Sequence, residues 1–554
     1  MRRSSVLTIA AVSCVLFGGA AMRLRPRLSS ALAAHSPSAQ PPQAVAASAP
    51  QGAQVQPVSS TLSPAVKMAD VPSSQPSVQP SLQLSLHLPG DSATEIYTAK
   101  RGESIPAVAR QYLKRTAYLT SAELSEAIRK ANGNESGNIL RAGEQITIPG
   151  ILPAPIVEKT IPVAKDFEVR AIYLTGIMAA SDHGLRIIRH WREVGGNAIV
   201  FDIKDSDGSV TIPFEHALLG KHQVYIHDLP KFVHFLHSEN MHAIVRIAIF
   251  RDERMVVEHP ELAVKSKRTG QPWRENGKLV WTDPSQPKVQ EFDIALAKFV
   301  AQSGADEIQF DYVRFPAEGD QKDASFAYQA EQGSCGDGRL GRPADAKQGG
   351  TTTEASPCKA SHAPQRSDVI VDFLKKAYAE LHPTGVLLSL DVFGVMAWQR
   401  PVDLSHTGQD IVGMAKYCDV LSPMIYPSHF FGMDNIAHPG DATEHFIGES
   451  MQRFELITKG SGVTIRPWLQ AFRWRTKTYS PEYIKVQVAT AKEKGGIGFL
   501  FWNAANDYSK PYEAMPEMRA AKDKFFRGDE LPGSTVKASL TPTGAPTTAE
   551  TASH

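Results

Sequence analysis

The sequence contains no HExxH, no CxxC and no GxSxG, so metalloprotease, zinc-site and serine-hydrolase readings have no support. No metal or cofactor is expected. It has only four cysteines, too few for a disulfide scaffold. Cys14 lies in the leader, and Cys418 opens an apolar strand, where a buried thiol is the ordinary fate. Cys335 and Cys358 share one polar loop and could pair in an oxidising compartment. An excess of one charge sign is also missing: 59 Lys+Arg against 58 Asp+Glu leave +1, which gives no electrostatic reason to expect nucleic acid or an anionic membrane surface as partner. Charge and aromatics are nearly absent from residues 29–92, a Pro/Ser/Ala/Gln-rich stretch that cannot bury enough apolar surface to offset its chain entropy and reads as a disordered linker. The tail 531–554 has the same character.

The N-terminus supplies what those stretches lack. Arg2 and Arg3 precede an apolar run from Val6 to about Met22, so 1–28 reads as a signal peptide or an N-terminal membrane anchor. Arg23, Arg25 and Arg27 follow, and cleavage stays undecided. The chain is expected to be exported: periplasmic, cell-envelope associated or secreted.

Residues 93–150 form a compact α+β unit in which two short strands flank the helical patterns "PAVARQYL" and "SAELSEAIRKAN", the second with a capping start at Thr120. Tyr97, Gly102, Glu103, Ile105, Asn132, Leu140, Gly143, Ile146, Ile148 and Pro149 give this stretch its resemblance to a LysM module, apart from a stretched connection at Lys114–Ser121. The resemblance implies binding of N-acetylglucosamine-containing glycans such as peptidoglycan.

From 165 to 527 the pattern changes. Eight apolar runs alternate with amphipathic stretches: 169–177, 197–205, 242–250, 306–315, 386–394, 418–427, 464–472 and 496–503. Alternation of this kind predicts βα units and a parallel sheet, and eight units fit an α/β fold of the (β/α)8 TIM type. A doubly wound sheet is the alternative, but no Gly-rich phosphate loop follows the first run. A polar, Gly-rich insertion, 317–366, falls after the fourth strand and reads as flexible.

In such a barrel the chemistry collects where strands end. The second run ends in Asp202, Lys204 and Asp205, the third in Arg246 and Arg251, the fourth in Asp311, Tyr312 and Arg314, and the fifth in Asp391. Tyr426 and His429 close the sixth; Trp468, Gln470 and Arg473 the seventh; Trp502, Asn503 and Asn506 the eighth. Period-2 alternation turns Ile308 and Phe310 towards the helices and Glu307, Gln309 and Asp311 inwards, with Asp391 at the same height on the next strand. A strand spacing of about 4.7–4.9 Å would bring those two carboxyls to roughly 5–6 Å, and Asp202 lies roughly 10 Å from Asp311.

Two carboxylates flanking a bond are what glycoside hydrolysis needs. Asp311, with Asp391 or Asp202, is the candidate catalytic set. Arg246, Tyr312, Arg314, Tyr426, His429, Trp468, Gln470, Arg473, Trp502 and Asn503 are the candidate sugar contacts, since pyranose faces stack on aromatics while Arg, Asn and Gln bond hydroxyls. This reading requires Asp311 to stand exposed in a crevice opposite a second acid; its rival is a structural ion pair with Arg246 or Arg314. His227, His234 and His237 lie on a helix leading away from the rim and are expected to be solvated or packed.

The runs "FDIKD", "IVRIAIFRD", "EIQFDYVRFP", "LDVFG", "SPMIYPSHF" and "PWLQAF" carry a second resemblance. The stretch from about Val169 to Tyr512 looks like a glycoside hydrolase barrel family catalogued as a domain of unknown function. The resemblance implies a TIM-type barrel related to polysaccharide-processing hydrolases. The expected function is an exported enzyme cleaving a cell-envelope or extracellular polysaccharide, targeted by its LysM unit. The alternative is a non-catalytic glycan-binding envelope protein. The expected partner is a polysaccharide or peptidoglycan, with membrane contact only through the N-terminal anchor; the oligomeric state is not legible.

Overall fold

The computed structural model describes residues 93–133, 137–329 and 364–528. The leader, the linker, the tail, Cys335, Cys358 and most of the insertion lie outside them. Cys418 is buried as a free thiol.

The first unit runs β1 (Ala93–Thr98), α1 (Ile105–Tyr112), α2 (Ser121–Ala131) and β2 (Gln145–Ile151), with β1 and β2 antiparallel. Apolar spacing on the two helices buries Ile105, Val108, Leu124 and Ile128 against Ile146 and Ile148. Thr120 caps α2, its hydroxyl accepting from the Glu123 amide at 3.2 Å.

Eight parallel strands follow: β3 (Arg170–Leu174), β4 (Ala198–Lys204), β5 (His242–Ala248), β6 (Glu307–Asp311), β7 (Leu387–Phe393), β8 (Val420–Ile425), β9 (Trp468–Gln470) and β10 (Phe499–Trp502). Each pairs with its sequence neighbour, and β10 with β3 closes the barrel. The main helices between them are α3 (Asp182–Val194), α4 (Leu229–Ser238), α5 (Pro287–Gln302), α6 (Arg366–Leu381), α7 (Thr443–Ile457) and α8 (Pro481–Glu493), and α9 (Ser509–Ala520) follows β10. After β7 the helical layer is reduced to the short pieces Pro401–Thr407 and Ile411–Met414. This is the expected (β/α)8 TIM-type barrel. The seventh run is broken: Thr464–Ile465 pairs with the start of β8, and Pro467, which cannot donate to a ladder, separates that pair from β9.

The predicted parity holds on β6 and β7. Ile308, Phe310, Leu388 and Leu390 pack in the helix-side core. Inside the barrel, Glu307 pairs with Arg466 at 2.8 Å, and the Gln309 amide donates to the Ser422 hydroxyl at 3.3 Å. Burial alone would raise Glu307, but Arg466 and His242 override it and hold the carboxyl down at about 2.

Opposite the strand ends, the histidines of α4 have structural work. His234 and His237 meet Glu158 at 2.6 and 3.1 Å, and His237 also meets Asp306 at 2.9 Å, which fastens the segment leading into the barrel. Burial would lower His237, yet Asp306 and Glu158 lift it to about 9. For Glu158, burial pulls upward, but its histidine partners bring it down to about 2. The raised histidine contributes stability that is complete below about pH 6.5 and lost as pH climbs through 9. The depressed glutamate contributes stability that is complete above the ordinary glutamate value of about 4.5 and lost as pH falls towards 2. Glu158→Gln is therefore expected to lower the melting temperature most between about pH 4.5 and 6.5 and hardly at all above about pH 9. A melting difference independent of pH would contradict the assignment.

Candidate active site

Arg246, from the middle of β5, organises the mouth of the barrel. Its Nη1 donates to Asp202 Oδ1 at 2.5 Å, its Nη2 to Asp311 Oδ2, and its Nε lies 3.7 Å from Asp391 Oδ2. One guanidinium thus joins the aspartates of β4, β6 and β7. The register explains the convergence: Asp202 is level with Arg246, and Leu390 with Phe310, so Asp391 and Asp311 stand at one height on adjacent strands.

The three carboxyls are not equivalent. The side chains of Asp202 and Asp391 are each 1% exposed, whereas Asp311 is 11% exposed and is the one nearest solvent. Asp311 Oδ1 accepts from the Tyr312 amide at 2.6 Å. That bond depends on an uncommon backbone, since Tyr312 has φ +55°, a left-handed conformation a tyrosine rarely adopts. The same twist ends the alternation of β6. Arg314 therefore misses the mouth: it is buried, and its guanidinium sits 4.4 Å from the Phe393 ring centre and 4.6 Å from that of Trp281.

Burial raises Asp391 well above the carboxylate range, the charge of Asp311 adds to the rise, and Arg246 and Trp468 offset only part of it. Burial likewise lifts Asp202 to about 7 against the pull of Arg246. Asp202 also accepts from the Tyr173 hydroxyl. Trp468 Nε1 donates to Asp391 Oδ1 at 2.6 Å.

Several expected contacts are corrected. Asp311 stands neither exposed nor free of a cation; it is buried and clasped by Arg246, with Asp391 close enough for the two charges to interact. Arg246 is spent on carboxylates rather than on sugar, since each of its three nitrogens faces one of the aspartates. Trp468 is 2% exposed and serves Asp391 rather than a sugar face. Gln470 and Asn503 are spent on backbone, Gln470 on the Ser428 amide and the Phe472 carbonyl, Asn503 on the Ala471 and Asp507 carbonyls. Arg473 is exposed beyond the end of β9.

Trp502 is half-buried at the end of β10 and packs against Tyr173, Tyr426 and Phe472, with ring centres 5.1 to 6.4 Å apart. His429 lies beside Tyr426 and Trp474; burial first and Arg475 second lower it to about 4, so it is neutral in ordinary buffers. Tyr312 reaches Arg251, whose Nη1 donates to its hydroxyl at 3.1 Å. Tyr173 is the residue sequence reasoning missed, although inward parity on the first strand would have found it. Cavities of about 450 and 420 Å³ lie among the rim loops, the first around Asp441 and Tyr483, the second around Trp273 and Asp323, and neither includes the aspartates. Among the described residues no cluster of His, Cys, Asp and Glu could hold a metal ion.

Residues 171–508 match the family described as "Putative glycosyl hydrolase domain". The chain belongs to this family. The Arg246 cluster therefore sits at the strand ends of a glycosyl hydrolase domain, and the chain is a glycoside hydrolase by family. No curated protein matches it. Among solved structures, a hypothetical protein from Ruminiclostridium thermocellum is 30% identical over 40% of this chain and 97% of its own, with a TM-score of 0.30. The PgaB (BpsB) glycoside hydrolase domain from Bordetella bronchiseptica is 14% identical over 65% and 99%, TM-score 0.45. The spore cortex-lytic enzyme SleL of Bacillus megaterium is 12% identical over 79% and 87%, TM-score 0.36. Likenesses this loose add nothing to the assignment of residues within the glycosyl hydrolase domain.

Trp468→Phe tests the buried hydrogen bond to Asp391. Without the indole N–H, the Asp391 carboxylate loses a stabilising donor, so its pKa should rise further. The expected result is an Asp391 carboxyl that titrates at higher pH in the variant than in the wild type, followed by infrared or NMR of the carboxyl group. An unmoved titration would remove the indole bond as a determinant of the Asp391 charge.

Proposed function

We propose that this chain is an exported glycoside hydrolase that cleaves a cell-envelope or extracellular polysaccharide, with Asp311 as the carboxylate facing the anomeric carbon. The observation that carries the reading is the Arg246 cluster: three aspartates near the ends of their strands share one guanidinium, and Asp311, though buried, is the least enclosed of them, its side chain 11% exposed against 1% for the other two. Arg246 and the Tyr312 amide hold its charge and its orientation, which suits a group that must meet positive charge developing at the sugar ring. Trp502, with Tyr426 and Phe472 behind it, offers an aromatic surface for a pyranose face.

The βααβ unit at 93–151 is the LysM-like part of this proposal. Its contacts with the barrel run from Glu123 to Arg189 at 2.9 Å and from the Leu113 carbonyl to Lys231 at 2.9 Å. Holding the polymer there would raise its local concentration at the barrel. The charged start of the chain and the apolar run behind it support export. Among the described residues no helix is long and apolar enough to cross a membrane.

A second reading, a barrel that binds glycan without cutting it, draws on the clasp of Asp311 by Arg246. Incubating the full chain with a panel of bacterial polysaccharides, then weighing soluble products and measuring retained glycan, separates the two. Release of new reducing ends is expected. Retention of glycan with no product from any polymer would leave only the second reading.

A further inference from the structure

A hydrolysis needs a carboxyl that can give its proton to the leaving oxygen, and none of the three around Arg246 is well placed for that. Asp202 and Asp391 are sealed from solvent, and Asp311 is ion-paired. A fourth aspartate stands beside them. The register of β4 against β5 slips between Asp202 and Lys204, a bulge that interrupts the strict in–out alternation. Ile203 packs in the helix-side core, and Lys204 goes the same way, its ammonium meeting Asp293 of α5 at 2.9 Å and Asp252 at 3.0 Å. Two consecutive residues on the helix side reset the alternation, so that Asp205 returns to the side of Asp202.

The surroundings of Asp205 agree with that placement. It is half-buried at the strand end and lies within electrostatic reach of both Asp202 and the Tyr173 hydroxyl, which face the barrel interior. Its carboxyl accepts from the Ser206 amide at 2.5 Å, and no ion pair involves it among the described residues. Its neighbour Asp207 differs, being exposed and 3.6 Å from Arg254. The turn carrying Asp205 is firmly set: the Asp205 amide donates to Ser209 and the Gly208 amide donates to Asp205, at 3.0 and 2.9 Å. Gly208, at φ +89°, lies so close to Asp252 that an added Cβ would fall 1.9 Å from its carboxyl oxygen. The bulge, the Lys204 anchor and the turn together fix one unclasped carboxyl at the mouth.

We propose that Asp205, rather than Asp202 or Asp391, is the carboxyl that delivers a proton to the glycosidic oxygen opposite Asp311. This rests on the glycoside hydrolase reading of the same mouth. The two residues stand on strands that flank β5, whose backbones lie about 9.5 Å apart by strand spacing, so that a sugar ring and a water fit between them. The bond between the anomeric carbon and the leaving oxygen breaks, and its electron pair stays on that oxygen, which takes the proton of Asp205. A water oxygen bonds the anomeric carbon from the other face and passes its proton to Asp311. One water is consumed, and solvent exchange returns the carboxyls to their starting forms. The first product has inverted configuration.

The test compares Asp205→Asn, which keeps the bond to the Ser206 amide, with the wild type on two kinds of probe. One is whichever polysaccharide of the panel above is cleaved; the other is a set of 2,4-dinitrophenyl glucosides, galactosides and N-acetylglucosaminides, whose leaving group needs no proton. The variant is expected to lose about 10²–10⁴-fold on the polysaccharide and less than about tenfold on the dinitrophenyl glycoside. NMR of the first anomer formed should show inversion. Equal losses on both probes, no loss on the polysaccharide, or leaving-group dependence in Asp391→Asn or Asp202→Asn instead would overturn the assignment. A wild type inactive on every probe would fail differently, removing the hydrolase reading itself.

Discussion

Asp311→Asn releases no measurable product from a polysaccharide that the wild type cleaves, a loss of about 10⁴-fold or more, while the variant still folds and still retains the glycan. The amide keeps the shape of the side chain and its bond to the Tyr312 amide, yet it can neither carry negative charge nor accept a proton from water. Folding should survive, because removing one of three carboxylates around a single guanidinium also removes repulsion. Asp391 is raised partly by the charge of Asp311, so in the variant its carboxyl should titrate at lower pH. Reducing-end release, glycan retention and a thermal melt on the same preparation give the three readings. Product release at more than about a tenth of the wild-type rate would remove Asp311 from the chemistry.

The convergence on this residue was legible because a strand has period 2 and a barrel has a defined chemical face. Those two facts alone put Asp202, Asp311 and Asp391 at one mouth. What sequence could not convey was how a long side chain spends its reach. Arginine bonds hydroxyls, which points to Arg246 as a sugar contact, but its position on the strand between β4 and β6 lets it serve carboxylates on both sides. Backbone departures account for other misses. The left-handed Tyr312 turns Arg314 away from the mouth, and the bulge before Lys204 sends an expected rim lysine into the helix layer; neither leaves a glycine or proline as a sign. Gln470 and Asn503 misled for a third reason. Loops that leave a barrel strand need their own amides and carbonyls satisfied, and short polar side chains at the strand end are the nearest donors and acceptors.

Arg246→Met should cost about 3–5 kcal/mol of stability, because it leaves buried carboxyls without the charge that compensates them. In the wild type, desolvation opposes ionisation of Asp202 so strongly that, even with Arg246 in place, its carboxyl titrates near 7. A carboxyl whose folded pKa is raised binds more protons in the folded state, so the stability it confers is intact near pH 4 and is lost as pH rises through that folded value. Without the guanidinium, the folded values of Asp202 and Asp391 should climb further, and the penalty of the substitution should therefore grow from acid to neutral pH. Chemical denaturation at several pH values measures this directly. Arg246→Lys should recover part of the stability, since an ammonium can meet one carboxylate but cannot span three strands. A deficit for the methionine variant that is the same at pH 4 and pH 8, or no deficit at all, would mean that the three aspartates are not held by a common charge, and the electrostatic basis for singling out Asp311 would go with it.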